Sequence, residues 1–441
     1  MADQPNQSLI DRLSRTVVKY EWLALVLLLP WFVFPRPLTS LLALIIPLIW
    51  LARWRSTGHF VGPTPADGAI LLLAIMLLVS LYATFDLSYS VPRVLAIIYG
   101  VAVYYAAVEF VGRSRRHLFW GVAGLLFCGL TVAVLALFGT RWSLSLPLPP
   151  GLAELRAQLL RFAAAPAGFN PNQVAGTLLW VLPPYLALTG AALLALRMGT
   201  ATRPRALLLS IGSLLVLGVF LLTQSRSGFV GLAVACLLML LLARRRWLSP
   251  WRIGAAALVA LLLVFVVWRW LPTPGLVEDP WASPVALADE VLEPTLQQAL
   301  GGRIAIWSRA LYGLQDFPLT GMGVGTFRRV VPLLYPLFTV SPSTDIGHAH
   351  NHLLQTGLDL GLPGLIAYLA LWLFVGMMLW RSWRFRQDRW HRALIVGFAG
   401  ALVGYFVYGL TDAVALGAKP GFIWWLELGL VAGLYRRLSP A

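Results

Sequence analysis

Apolar runs of about twenty residues, the length of a helix that crosses a bilayer, recur from Val17 to Tyr435. No other feature of the sequence narrows the fold more. Hydrocarbon offers no partner for backbone N–H and C=O groups, so only helices and closed barrels can span it. Barrel strands alternate apolar and polar residues in segments of about ten, whereas these runs are apolar all round. The expectation is an all-α, polytopic helical membrane protein. Composition agrees: 59% of the residues are hydrophobic and 12% charged, against about one-quarter charged in a soluble globular chain. The polar start MADQPNQSLIDRLSR leads into a run without a small-residue cleavage pattern, which predicts no removable signal peptide.

Spans are expected at 17–34, 38–52, 68–85, 91–111, 117–138, 172–196, 206–222, 228–243, 252–270, 362–380, 393–411 and 421–435. Twelve spans put both termini on one side, and basic residues say which. Of 34 Lys and Arg, 22 fall on the terminal side, all in short loops or tails. The termini are therefore expected in the cytoplasm, and the net charge of +16 reads as topology rather than as a nucleic-acid surface. Cys128 and Cys236 lie inside apolar runs, which leaves no disulfide framework or cysteine metal site.

The long polar segments all lie on the outer side, where function is therefore expected. Four regions follow: an N-terminal bundle of five spans (1–138), an interfacial segment with four spans (139–270), a large outer loop (271–361) and three C-terminal spans (362–441). In the second region Leu152, Leu155, Leu159 and Phe162 recur at helical spacing, the pattern of a helix lying in the membrane interface. In the loop the pattern turns helical from Gly302, which places Arg303 in a first turn, and Asp316-Phe317-Pro318 ends it. Gly321-Met322-Gly323-Val324-Gly325 lacks a preceding strand and reads as a turn rather than a dinucleotide site.

Three constellations can carry chemistry. Arg226, in Thr223-Gln224-Ser225-Arg226-Ser227, joins two spans at the outer boundary; it is either a snorkelling anchor or, with its hydroxyl and N–H neighbours, an anion site. Arg303 is either paired with a loop carboxylate or, at a helix N-terminus, another phosphate ligand. His348-Ala349-His350-Asn351-His352 concentrates half of the six histidines within five residues. These could be interfacial imidazoles, a metal site through His348 and His352 at i,i+4 spacing, or a general base; no HExxH pattern accompanies them. Two arginines for phosphate and a histidine for a proton describe transfer of a group away from a diphosphate. A transporter or lipid-linked sugar flippase is the rival from another class, but transporters hold their polar sites near the bilayer midplane, whereas these residues lie at its outer boundary.

His350-Asn351, a nine-residue gap and Gly361-Leu362-Pro363-Gly364 resemble the signature of bacterial O-antigen ligases and their O-antigen polymerase relatives. Gly168-Phe169-Asn170-Pro171-Asn172, Leu222 to Ser227, and Gly302-Arg303 through Trp307 to Gly323 are similar to that family in the same order, so the resemblance covers about residues 165–435. It implies a GT-C-like, metal-independent glycosyltransferase of the cytoplasmic membrane, without a cofactor. Such an enzyme passes a glycan from an undecaprenyl-diphosphate carrier to an acceptor hydroxyl on the outer face. Residue by residue it implies His350 as base and Arg226 and Arg303 as diphosphate ligands. It carries no role onto His348 or His352, which with Asn351 are candidate supporting residues, while Asp412 and Lys419 in the last outer turn could bind sugar or phosphate or pair with each other. Expected partners are the lipid-linked donor, a lipid or glycan acceptor and membrane lipids, with no nucleic acid. The ligase type, acting on a lipid A-core or equivalent acceptor, fits the signature; the polymerase and protein-glycosylating branches share its motifs.

Overall fold

A computed structural model describes residues 9–34, 38–140, 142, 150–162, 168–200, 202–243, 296–336, 346–385 and 388–438. In chain order its α-helices are α1 Leu9–Lys19, α2 Glu21–Val33, α3 Ile45–Thr57, α4 Asp67–Ala83, α5 Leu87–Arg113, α6 Arg115–Gly139, α7 Pro150–Phe162, α8 Pro171–Leu179, α9 Leu182–Arg197, α10 Arg203–Leu222, α11 Arg226–Ala243, α12 Leu296–Asp316, α13 Phe327–Leu334, α14 His352–Arg384, α15 Arg389–Gly409 and α16 Gly421–Leu438. The chain is a helical membrane protein, and no strand is formed among the described residues. The expected span 252–270, and Glu278, Asp279, Asp289, Glu290, Glu293 and Asp345 of the outer loop, lie outside the described residues.

Six described helices are long and apolar enough to cross a membrane (α5, α6, α10, α11, α14 and α15), and up to eight if each bent pair counts as one span. This is fewer than the twelve expected, and the differences have local causes. The run 17–34 is split between α1 and α2, which meet at 62°. The run 172–196 breaks between α8 and α9 at 46°, where Pro183 and Pro184 at the start of α9 remove two backbone donors. A 3-10 helix, Leu38–Leu44, takes up half of the second run and leaves α3 only 13 residues.

Close helix contact rests on small residues, as expected where lipid supplies no hydrophobic drive between helices. A Cβ at Gly231 of α11 would come within 2.5 Å of the Gly404 carbonyl of α15. The side chains of Trp425 and Tyr104, both fully buried, cross edge to face between α16 and α5.

The loops sort to two ends. At one end, Arg53 is buried against Glu21 and reaches Glu109, which also holds Arg436, while Arg115 pairs with Asp388; these are loops and helix ends expected on the cytoplasmic side. At the other end, the Tyr408 hydroxyl donates to the Asn172 carbonyl, the Thr411 hydroxyl bonds that of Ser227, and Asn351 donates to the Leu410 carbonyl. The segments expected outside are thereby gathered into one place.

A candidate active site at the gathered loops

Asn351 begins the site. Its side chain accepts hydrogen bonds from the amides of Leu353 and Leu354, at 2.9 and 3.0 Å, and so caps α14. Its own amide reaches the Leu410 carbonyl at 3.0 Å, which ties the cap to the turn after α15. His350, just before the cap, has φ +48°. A non-glycine residue in the left-handed region costs about 1–2 kcal/mol, and such strain collects where function demands a fixed side-chain direction. The other described non-glycine residue with positive φ is Gln224, at 50°, in the hairpin that presents Arg226.

The turn 410–420 supplies the acid. Asp412 is 1% exposed, with Oδ1 3.4 Å from His350 Nδ1 and 3.9 Å from His348 Nε2, and Oδ2 3.9 Å from the Arg303 guanidinium. Burial pushes the Asp412 pKa up, but the contact with His350, the charges of both imidazoles and the Ala413 amide outweigh it and hold the group below the usual carboxylate range. Asp412 therefore stands as an anion under a histidine, the arrangement that orients an imidazole in hydrolytic triads. His350 Nδ1 and Asp412 Oδ2 complete no hydrogen bond among the described residues; catalytic hydrogen bonds are often long until the reactants are in place.

His348 has a separate part. The His350 backbone N–H donates to His348 Nδ1 at 3.1 Å, so that nitrogen is an acceptor and the ring proton sits on Nε2, facing Asp412. Burial, then the charge of His350 and of Arg328 and Arg303, pushes the His348 pKa down to about 4, against the opposing pull of Asp412. It is a neutral support for the His350 backbone. Its pKa also gives a pH signature: the folded protein binds this proton less readily than the unfolded chain, whose histidines titrate near 6.5. The stability it contributes is complete above pH 6.5 and is lost as pH falls from about 6.5 towards 4. In His348→Asn, whose side-chain oxygen can replace Nδ1, the fall in melting temperature over that interval is expected to be smaller than in wild type; equal falls would contradict the assignment.

His352 departs from the cluster. It is 3% exposed, bonds the Tyr368 hydroxyl at 2.9 Å and stands edge-on to Trp372, Tyr405 and Phe406. Because α14 starts at His352, the i,i+4 pairing considered for zinc does not form on a helix. The donor set a metal could use is instead His348, His350 and Asp412, whose ligand atoms lie within 4.8 Å of one another. Arg303 on the same carboxylate places a fixed positive charge where a cation would sit, which disfavours it.

Arg303 does not occupy a first turn. Helix α12 begins at Leu296, so Arg303 lies two turns inside it and the free amides of a helix N-terminus are out of reach; Gly301 and Gly302 continue the helix rather than start it. Its charge, 21% exposed, is nevertheless delivered to the site. Arg226 opens α11 and is half-buried, and its neighbour Ser227 is held by Thr411, next to Asp412. Lys419 is displaced from the cluster: among the described residues Asp412 pairs with Arg303 and the two histidines rather than with Lys419, whose ammonium lies 5.1 Å over the Phe34 ring.

The turn 321–325 proves to be a wedge. A Cβ on Gly321, φ +68°, would meet the Gly361 amide nitrogen at 2.6 Å, and one on Gly361, φ +69°, the Leu319 carbonyl oxygen at 2.5 Å. The first signature glycine is thus a backbone-on-backbone contact that also kinks α14 at Gly361. Ser80 of α4 and Ser90 of α5 hold the wedge through the Val324 amide and carbonyl.

Residues 211–369 match the family model for O-antigen ligase. The match spans Arg226, Arg303 and the His350 to Gly364 signature, and ends before Asp412. No curated protein matches the chain.

Proposed function

We propose, for a chain whose residues 211–369 match the O-antigen ligase family model, that it moves a glycan from an undecaprenyl-diphosphate carrier to an acceptor hydroxyl at the outer face of a bacterial cytoplasmic membrane, both termini lying inside. The family match supports a ligase- or polymerase-like membrane glycosyltransferase; the acceptor and the residue roles are our reading. One observation supports it above others: a strained His350 set against buried anionic Asp412, with Arg303 on the same carboxylate.

The chemistry follows from that arrangement. Asp412 favours the His350 tautomer with its proton on Nδ1, which leaves Nε2 free to take the acceptor hydroxyl proton. The acceptor oxygen attacks the anomeric carbon as the bond to the diphosphate oxygen breaks, so configuration inverts and no covalent enzyme intermediate forms. Charge grows on the departing diphosphate, and the guanidinium groups of Arg303 and Arg226 bind it more tightly there than in the ground state. A donor with a polyprenyl tail can enter only sideways from the bilayer, which accounts for an enzyme made mostly of spans.

The test is a transfer assay with purified protein, an undecaprenyl-diphosphate oligosaccharide and chelator, run with a lipid A-core acceptor and with donor alone. Product on the lipid core in the presence of chelator is the expected result. A ladder from donor alone would make the chain a polymerase, and product that requires added divalent metal would overturn the proposed base.

A further inference from the structure

The first turns of α14 carry two buried polar side chains that the proposed chemistry does not use. Gln355 and Asp359 are 3% and 6% exposed and stand one helical turn apart on the same face as Asn351. Gln355 Oε1 accepts from the Ala349 amide at 2.9 Å, and its Nε2 donates to Asp359 Oδ1 at 2.9 Å. The same Asp359 oxygen accepts the Gly325 amide at 2.9 Å. The amide orientation is fixed by its partners, because a flipped Gln355 would set NH2 against the Ala349 N–H and its oxygen against a carboxylate. The connection runs without a gap from the glycine wedge, through Asp359 and Gln355, to the residue before His350.

We infer that Gln355 and Asp359 are positioning residues that hold His350 in its left-handed conformation and fix it relative to the 321–325 wedge. The His350 backbone is bracketed: Ala349 N–H is held on one side by Gln355, and Asn351 on the other by its cap and by Leu410. Among the described residues the two side chains bond Ala349, Gly325 and each other rather than Asp412 or Arg303, so they act on the base through the backbone. An apolar pair would fill the same volume at no desolvation cost. What the polar pair adds is direction, since a fully satisfied buried network admits one arrangement. The wedge itself is fastened to α4 and α5 through Ser80 and Ser90, so the base is referenced to the N-terminal bundle. This inference rests on the proposed role of His350.

Gln355→Met keeps the volume and removes both bonds. Asp359→Leu keeps a similar volume and removes the oxygen that both Gln355 and the Gly325 amide use; it serves if Gln355→Met fails to fold. Each is expected to lower kcat about 100-fold through misplacement of the base, with the donor KM unchanged. Hydrogen exchange at the Ala349 and His350 amides should also be faster than in wild type. Thr356→Val, which loses only a bond to the His352 carbonyl within the same turn, is expected to change neither. A kcat within about threefold of wild type, or unchanged exchange at those two amides, overturns the inference. Absence of transfer by the wild type would instead defeat the proposed function, and the exchange measurement would still decide the relay.

Discussion

His350→Ala is expected to lower glycan transfer by about 10²–10⁴-fold, the usual worth of a positioned general base, while the protein still inserts and elutes as wild type. The imidazole is one-quarter exposed and meets the polar side chains of His348 and Asp412, so its removal should cost little apolar packing. It also relieves a left-handed β-carbon position only in part, since alanine keeps its Cβ. The measurement is initial rate of product formation at saturating donor, beside a thermal melt of the same sample. A near wild-type rate would remove the general-base role and leave the arginines as an anion site without chemistry. A loss matched by a collapsed melting temperature would instead make His350 a structural residue.

Arg303→Ala carries the second large effect, about 10²–10³-fold in kcat, as for loss of one donor to developing charge. The donor KM should change little, because the interaction is spent on the leaving diphosphate rather than on the bound substrate. Arg303→Lys should recover only part of the rate: an ammonium is a point charge, whereas the guanidinium fork can meet two phosphate oxygens at once. A rise in KM at constant kcat would move Arg303 to ground-state binding. Combining Arg303→Ala with His350→Ala should cost much less than the product of the two losses, because the residues serve one step.

The sequence shows the class of this fold plainly, because hydrocarbon length is written into apolar runs, and it brings His350 and Asn351 forward as candidates because the histidine cluster and the signature that runs on to Gly364 are continuous in the chain. Other parts depend on what only three dimensions supply. Proline pairs such as Pro183-Pro184 sit inside an apolar run that hydropathy averages into one span, although they break it. Arg303 was expected at a helix start because two glycines precede it; the helix simply continues through them. Asp412, read as a partner for Lys419, meets His350 across 61 intervening positions of chain that no local pattern encodes. Gln355 and Asp359 have an i,i+4 spacing that sequence can display, yet their significance lies in the Ala349 and Gly325 amides they hold, and backbone amides leave no mark in a sequence.

The contact between Asp412 and the histidines has a consequence for how the protein is made. Arg226, Arg303 and His350 all precede α15, but the carboxylate that Arg303 and His350 share comes from the turn between α15 and α16. On the proposed topology a nascent chain exposes Arg303 and His350 to the outer compartment before Asp412, the group that organises them, has crossed the membrane. On that topology the site closes only when the α15–α16 hairpin inserts, and synthesis of α16 acts as the switch that turns separate basic side chains into a single centre.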